Sequence, residues 1–152
     1  MDEGAGSQER DDLLKLRRQL CFPLYAASRL TTRLYQPHLE PLGLTYPQYV
    51  ALLILWEDAP CSVSHIGNRA MLKSNTLTPL LKKLEKQGYV ARTRNKSDER
   101  MVEIALTDRG MSLKSQCSCI PQTLLEQVQL SEDKAIQLKT LLDELILAIQ
   151  AS

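Results

Sequence analysis

The chain has almost no net charge, few aromatic residues and few histidines, and each shortage narrows what it does. Of 152 residues only 5% are Phe, Trp or Tyr, and 19 Lys and Arg against 18 Asp and Glu leave a formal charge of +1. The apolar share, 43%, is ordinary, so the length suits one domain with a proper core and no general disorder is signalled. No apolar run approaches membrane-spanning length, and the start lacks the basic and apolar regions of a signal peptide. A cytoplasmic protein with no membrane partner is therefore expected. Thiols are kept reduced there, so Cys21, Cys61, Cys117 and Cys119 are expected to be free thiols, sensors or ligands before they are staples. A structural zinc site is not expected: there is no CxxC pair, and His38 and His65 stand far from the CxC at 117–119. No motif calls for a cofactor, and no internal repeat is present.

What is there begins with "MDEGAGSQERDD", small and acidic, which predicts a disordered lead-in over residues 1–11. Leu13, Leu16, Leu20, Leu24, Ala27, Thr31, Leu34 and Tyr35 then recur at helical spacing and predict a helix from Asp12 to Gln36, ended by Pro37. Within it, "RRQLCFPLY" puts Pro23 two residues after Cys21. Pro23 lacks the N–H that would bond the Gln19 carbonyl, which predicts a kink or restart close to Cys21. The N–H groups of a new first turn favour a thiolate beside them. A turn-rich connector leads to "PQYVALLILWE", a buried helix with Pro47 in its first turn.

After the break at "DAPCSV", "VSHIGNRA" predicts a short helix capped by Ser62, and "SNTLTPLLKKLEKQGY" a second, with Ser74 as its cap and Gly88 as its stop. "YVARTR" and "MVEIALT" alternate apolar and polar residues around "NKSDER", predicting a two-stranded hairpin with a charged tip. The final third is helical again: one helix as far as Pro121, a short one, and a last one after Ser131. That last helix carries Leu138, Leu141, Leu142, Leu145, Ile146 and Ile149 as a stripe. Pairing of the two apolar ends in a homodimer is the cheapest way to cover it.

Charge is segregated. From Arg69 to Arg100 nine basic residues face three acidic ones, leaving the rest of the chain net acidic, a distribution suited to a polyanion. Two short helices followed by a basic-tipped hairpin are the order of a winged helix-turn-helix, so the expected fold is mainly α with a small β-hairpin wing. Ser74, Asn75, Thr76 and Thr78 open the second helix with side chains that read base edges, and Lys82 and Lys83 one turn on suit phosphates. On the wing, Arg92, Arg94, Lys96 and Arg100 suit phosphates or a narrow minor groove.

"QLCFPLYAASRLTTRLYQPHLEPLGLTYPQYVALLILWE", "LTPLLKKLEKQGYVARTR" and "DERMVEIALTDRG" together resemble the MarR family of winged-helix regulators, and "QLCF" followed by "LTYPQY" resembles its organic-hydroperoxide-responsive repressors. The DxR of the wing, Asp98 and Arg100, is a mark of the broad family. The resemblance implies a dimeric repressor, not an enzyme, that leaves double-stranded DNA when Cys21 is oxidised, with Tyr35 and Tyr46 hydrogen-bonding its thiolate. Phe22 and Tyr25, with those tyrosines, would line an apolar peroxide pocket that prefers alkyl tails. On a continuous helix Cys21 and Tyr35 lie about 21 Å apart, so they meet only if two copies cross, as the apolar ends already suggest. In this branch the recognition helix usually opens with an acidic residue and Ser-Gly-Thr, whereas here it opens Lys73-Ser74-Asn75-Thr76. The amide can read adenine.

The resolving thiol stays open between Cys119, preferred as nearer the "IPQTLL" break, Cys117, and a low-molecular-weight thiol. Cys61 is expected to be incidental. Residues 12–45 and 108–152 are thus expected to dimerise and 46–107 to form the DNA-binding lobe, acting on a palindromic, AT-rich operator. A repressor governed by a noncovalent ligand in the dimer cleft is the alternative.

Overall fold

The computed structural model describes residues 12–94 and 101–152. The expected lead-in over 1–11 and the expected wing contacts Lys96, Asp98 and Arg100 lie outside the described residues. The described chain is mainly helical with a small antiparallel sheet, and it divides into two compact units, one ending at Tyr46 and the other beginning at Pro47.

In the first unit the helix expected from Asp12 to Gln36 is interrupted. A 3₁₀ turn over Leu16–Arg18 ends at Gln19, whose backbone is extended (φ −85°, ψ 115°), and α1 runs from Cys21 to Leu39. Pro23 is compatible with a first turn, where its missing N–H is not needed. Upstream, Asp12 holds Lys15 and Arg18 at 2.7 Å each, gathering those residues into a turn of their own. The restart expected beside Cys21 is present. Pro37 does not end α1 as expected. So near the C-terminus it removes one backbone bond, and the helix continues to Leu39, the one residue of α1 that is buried. A 3₁₀ turn over Glu40–Leu42 follows, and Gly43 at φ 68° supplies the left-handed backbone that lets Leu44 N–H return to the Leu39 carbonyl at 3.0 Å.

Helix α2 (Tyr46–Asp58) buries Gln48, Tyr49, Ala51, Leu52, Ile54 and Leu55, as its nearly continuous apolar run requires. The helix-turn-helix is α3 (Val63–Ala70) and α4 (Ser74–Lys86). Ser62 caps α3 as expected, its Oγ accepting the His65 N–H at 3.1 Å. The cap position of α4, however, is Lys73, which offers no side-chain acceptor, so Ser74 is the first helical residue rather than the expected cap. Leu77, Leu81 and Leu84 are wholly buried beside Ile66; their spacing commits one stripe of α4 to the core and leaves the opposite face in solvent. Gly88 stops the chain as expected, at φ 77°, with its N–H on the Glu85 carbonyl and that of Tyr89 on Leu84.

The sheet has three strands, β1 (Cys61–Ser62), β2 (Val90–Arg94) and β3 (Val102–Leu106), in the antiparallel order β1-β3-β2. The expected hairpin is β2 and β3, in register from Val90 opposite Leu106 to Arg94 opposite Val102. The extra strand pairs Cys61 with Ile104 and Ser62 with Glu103, tying the wing to the start of α3.

Helices α5 (Asp108–Cys117), α6 (Ile120–Gln127) and α7 (Glu132–Gln150) complete the chain. The first stops at Cys117, short of the expected Pro121, which instead opens α6 where a proline fits. Thr107 caps α5: its Oγ1 accepts the Gly110 N–H at 3.0 Å and donates to the Gly88 carbonyl at 2.6 Å. The Gly110 carbonyl takes the Trp56 indole N–H at 3.0 Å. A Cβ at position 110 would stand 2.0 Å from the Tyr89 carbonyl oxygen, and that backbone is held by its own bonds, the carbonyl accepting the Thr107 N–H at 3.2 Å and the N–H reaching the Leu84 carbonyl at 3.0 Å. Gly110→Ala is therefore expected to cost about 3 kcal/mol or more, seen in thermal unfolding as a Tm lower by roughly 10 °C.

Along its whole length α7 buries no residue, and Leu138, Leu141, Leu147 and Ile149 are each more than half exposed. Among the described residues no helix is long and apolar enough to cross a membrane.

Candidate nucleic-acid interface and thiol site

The basic segment resolves into two kinds of residue. Arg69 is spent on structure: its guanidinium holds Glu57 at 2.8 Å and Asp58 at 2.7 Å, and Asp58 also holds His65 Nε2 at 2.6 Å. These contacts fasten the end of α2 to α3. Hydrogen bonds from His65 and then Arg69 hold the Asp58 carboxyl below its usual range. Its contribution is thus present above the ordinary carboxylate pKa and lost as pH falls through the lower folded value. Below about pH 4, thermal unfolding of the wild type is expected to show this added acid sensitivity and that of Asp58→Asn to lack it. An equal loss in both would show that the pair does not matter.

Others of the segment stand outside that cluster. Among the described residues Lys82, Lys83, Arg92 and Arg94 enter no ion pair. Asn75, Thr78 and Lys82 follow each other along the face of α4 opposite its buried leucines, with Ser74, Asn75, Thr76, Lys82 and Lys83 exposed and Thr78 half-buried. On β2, Arg92 and Arg94 share the face of buried Val90, Arg92 half-buried and Arg94 exposed. The arrangement offers short polar side chains at the helix start, cations a turn later and cations on the wing strand. Such residue types in such an order suit base edges and phosphates.

The thiol site is only partly assembled. Cys21 is exposed and is the first residue of α1, whose N-terminus no side chain caps. The sulfur therefore lies at the end of α1 where the first-turn backbone N–H groups have no side-chain partner. Tyr25, one turn on, shares its face, while Phe22 lies beside it; both are exposed, and the Arg29 guanidinium sits 5.5 Å from the Tyr25 ring. Tyr35 and Tyr46 come together, ring centres 4.9 Å apart at 60°. Burial, and then the neighbouring Tyr46, push the Tyr35 hydroxyl above its ordinary pKa, keeping it a proton donor at neutral pH. But Cys21 and Tyr35 belong to one unbroken helix fourteen residues apart, about 21 Å along the axis. Within one chain the tyrosines do not reach the sulfur.

The other thiols differ sharply. Cys117, at the end of α5, is buried, and burial followed by Cys119 raises its pKa. Cys119 lies between α5 and α6 and is exposed. Cys61 lies in β1, its thiol raised by burial and then by Asp58, an unreactive setting.

A protein-family description, transcriptional regulator SarA/Rot, matches residues 33–117. A Bacillus subtilis protein described as an organic hydroperoxide resistance transcriptional regulator is 45% identical over 139 residues, which cover 91% of this chain and 95% of that relative. The crystal structure of AbfR of Staphylococcus epidermidis superposes with a TM-score of 0.76 at 35% identity, covering 94% of this chain and 99% of that one. Reduced AbfR bound to DNA gives a TM-score of 0.72 at 38% identity, with coverage of 91% and 98%.

Proposed function

The chain belongs to the SarA/Rot transcriptional regulators, winged-helix proteins of the MarR type, and from that membership we propose that it is a homodimeric repressor that releases a palindromic operator when an organic hydroperoxide oxidises Cys21. The observation that carries this reading is the divided thiol site: an exposed cysteine at one end of α1 and a paired Tyr35 and Tyr46 near the other. Antiparallel crossing of two α1 helices brings each sulfur to the other copy's tyrosines. Pairing of two copies also accounts for the apolar surface left open on α1 and on α7, where Leu30, Leu141 and Leu147 stand exposed. Kinship with a hydroperoxide-resistance regulator and with a DNA-bound protein solved in its reduced form points the same way.

The chemistry balances with the peroxide as oxidant. The thiolate sulfur attacks the distal peroxide oxygen, an S–O bond forms, the O–O bond breaks, and the alkoxide takes a proton and leaves as the alcohol. Cys21 becomes a sulfenic acid. A second thiol then forms a disulfide and releases water. Exposed Cys119 is the better protein candidate than buried Cys117, with a low-molecular-weight thiol as the other route. Either product changes the contact between the two α1 helices and with it the spacing of the two α4 helices on a duplex.

Mass spectrometry of the peroxide-treated protein tests the assignment. The expected product carries its modification on Cys21, as a disulfide to the partner's Cys119 or to a small thiol, with Cys117 unchanged. Oxidation confined to the other three cysteines would remove Cys21 from the mechanism.

A further inference from the structure

A built cavity lies between the helix-turn-helix and the wing strands. It measures about 370 Å³ and is lined by Ser62, Ser64, Ser74, Thr78, Arg92 and Val102 among others. Its walls come from the start of α3, the start of α4 and the wing strands, the three elements that frame the proposed DNA face.

Its chemistry is one-sided. Among the described residues four hydroxyls and a guanidinium line it, and no carboxylate does. The Nε of Arg92 is buried and has no hydrogen-bond partner, a costly state unless an acceptor arrives. At the mouth, α4 begins without a side-chain cap, with Lys73 in the cap position, so the backbone donors and dipole of a 13-residue helix add to the field. Ser62 is already occupied, since its Oγ accepts the His65 N–H and lies 3.0 Å from Ser64 Oγ. Ser64, exposed, is the hydroxyl positioned to serve something outside the chain. Donors of this kind, with no carboxylate among the described lining residues, fit an oxyanion carrying a full charge.

We infer that this cavity is the receptacle for one DNA backbone phosphate per half-site, held by Arg92 with Ser64 and Thr78. The inference rests on the DNA-binding reading above and adds to it a residue, Ser64, and a geometry. One phosphate bridges the positioning helix, the recognition helix and the wing. It fixes the depth of α4 in the major groove and carries no sequence information of its own.

The test uses the full-length reduced protein and a duplex selected by it from a random pool, with affinity measured by fluorescence anisotropy across a range of KCl. Arg92→Gln is expected to weaken binding about tenfold and to lower the slope of log K on log salt by about 2 for the dimer. Ser64→Ala is expected to weaken binding about fivefold, the net loss of an ordinary hydrogen bond, with the slope unchanged. Because both grip the same phosphate, adding Ser64→Ala to Arg92→Gln should cost less than about twofold more. Thr78→Val gives a second route to the same coupling if Ser64→Ala lowers the melting temperature. Fully additive losses, or no loss from either hydroxyl variant, overturn the inference while leaving DNA binding intact. Displacement of DNA from the wild type, but not from Arg92→Gln, by inorganic phosphate at constant ionic strength would mark a free-anion site and overturn it too. A wild type with no salt-dependent DNA affinity would overturn this inference together with the reading beneath it.

Discussion

Cys21→Ser is expected to bind operator DNA as tightly as the wild type and to stay bound when an organic hydroperoxide is added. Under the same treatment the wild type should fall from specific towards nonspecific affinity, a loss on the order of a thousandfold. The substitution is nearly isosteric at an exposed first helical residue, so neither α1 nor the DNA-binding lobe should be disturbed. What it removes is the nucleophile: sulfur attacks a peroxide oxygen and a serine hydroxyl does not. The chain has three further cysteines, and this variant also separates them from Cys21. Buried Cys117 and half-buried Cys61 have raised thiol pKa values and should not substitute for it. A noncovalent ligand in the dimer cleft, by contrast, would leave the response of Cys21→Ser intact. Continued release of the serine variant on peroxide treatment would therefore favour that alternative.

The second large effect belongs to α4. Lys82→Ala with Lys83→Ala is expected to weaken DNA binding by about a hundredfold at moderate salt and to flatten the salt dependence. Each phosphate contact contributes about 0.9 to the slope, so four lysines per dimer should lower it by about 3.5. Both side chains are exposed and neither is engaged in an ion pair among the described residues, so folding should be unaffected and the melting temperature should not move. Asn75→Ala is the contrasting case. It should change which base is preferred at one position of each half-site and leave the slope alone, because an amide reads a base edge and releases no counterion. If the lysine pair changes neither affinity nor slope, α4 is not the helix that lies in the groove.

Much of this was legible in the chain because it depends on local rules. Alternation in "YVARTR" and "MVEIALT" marks β2 and β3, Ser62 caps the helix it precedes, and Gly88 takes the left-handed angle expected of a helix stop. Other features escaped for reasons equally physical. Two residues, Cys61 and Ser62, are too few to show alternation, and they form a strand only because β3 offers an edge. Ser74 resembles a cap by type, but capping needs an extended backbone, and that conformation falls one residue earlier, at Lys73. Pro37 sits so near the end of α1 that losing one hydrogen bond does not stop the helix. The role of Trp56 was silent in the sequence, since its partner is a backbone carbonyl fifty-four residues away. The thiol site was half legible. Its residue types are in the sequence, but the helix that carries Cys21 and Tyr35 holds them apart, and in the proposed dimer it is a second copy that closes the gap.

That division allows the central claim to be tested with one measurement. Mixed dimers are prepared from one copy carrying Cys21→Ser and one carrying Tyr35→Phe with Tyr46→Phe, and the rate of operator release is followed after addition of cumene hydroperoxide. If the site is completed across the dimer, one of its two sites has both the cysteine and the tyrosines, and release should proceed at close to the wild-type rate. If the site belonged to one chain, the only remaining cysteine would lack its tyrosine donors, and release should be as slow as in the Tyr35→Phe, Tyr46→Phe homodimer. That slow result would contradict the account.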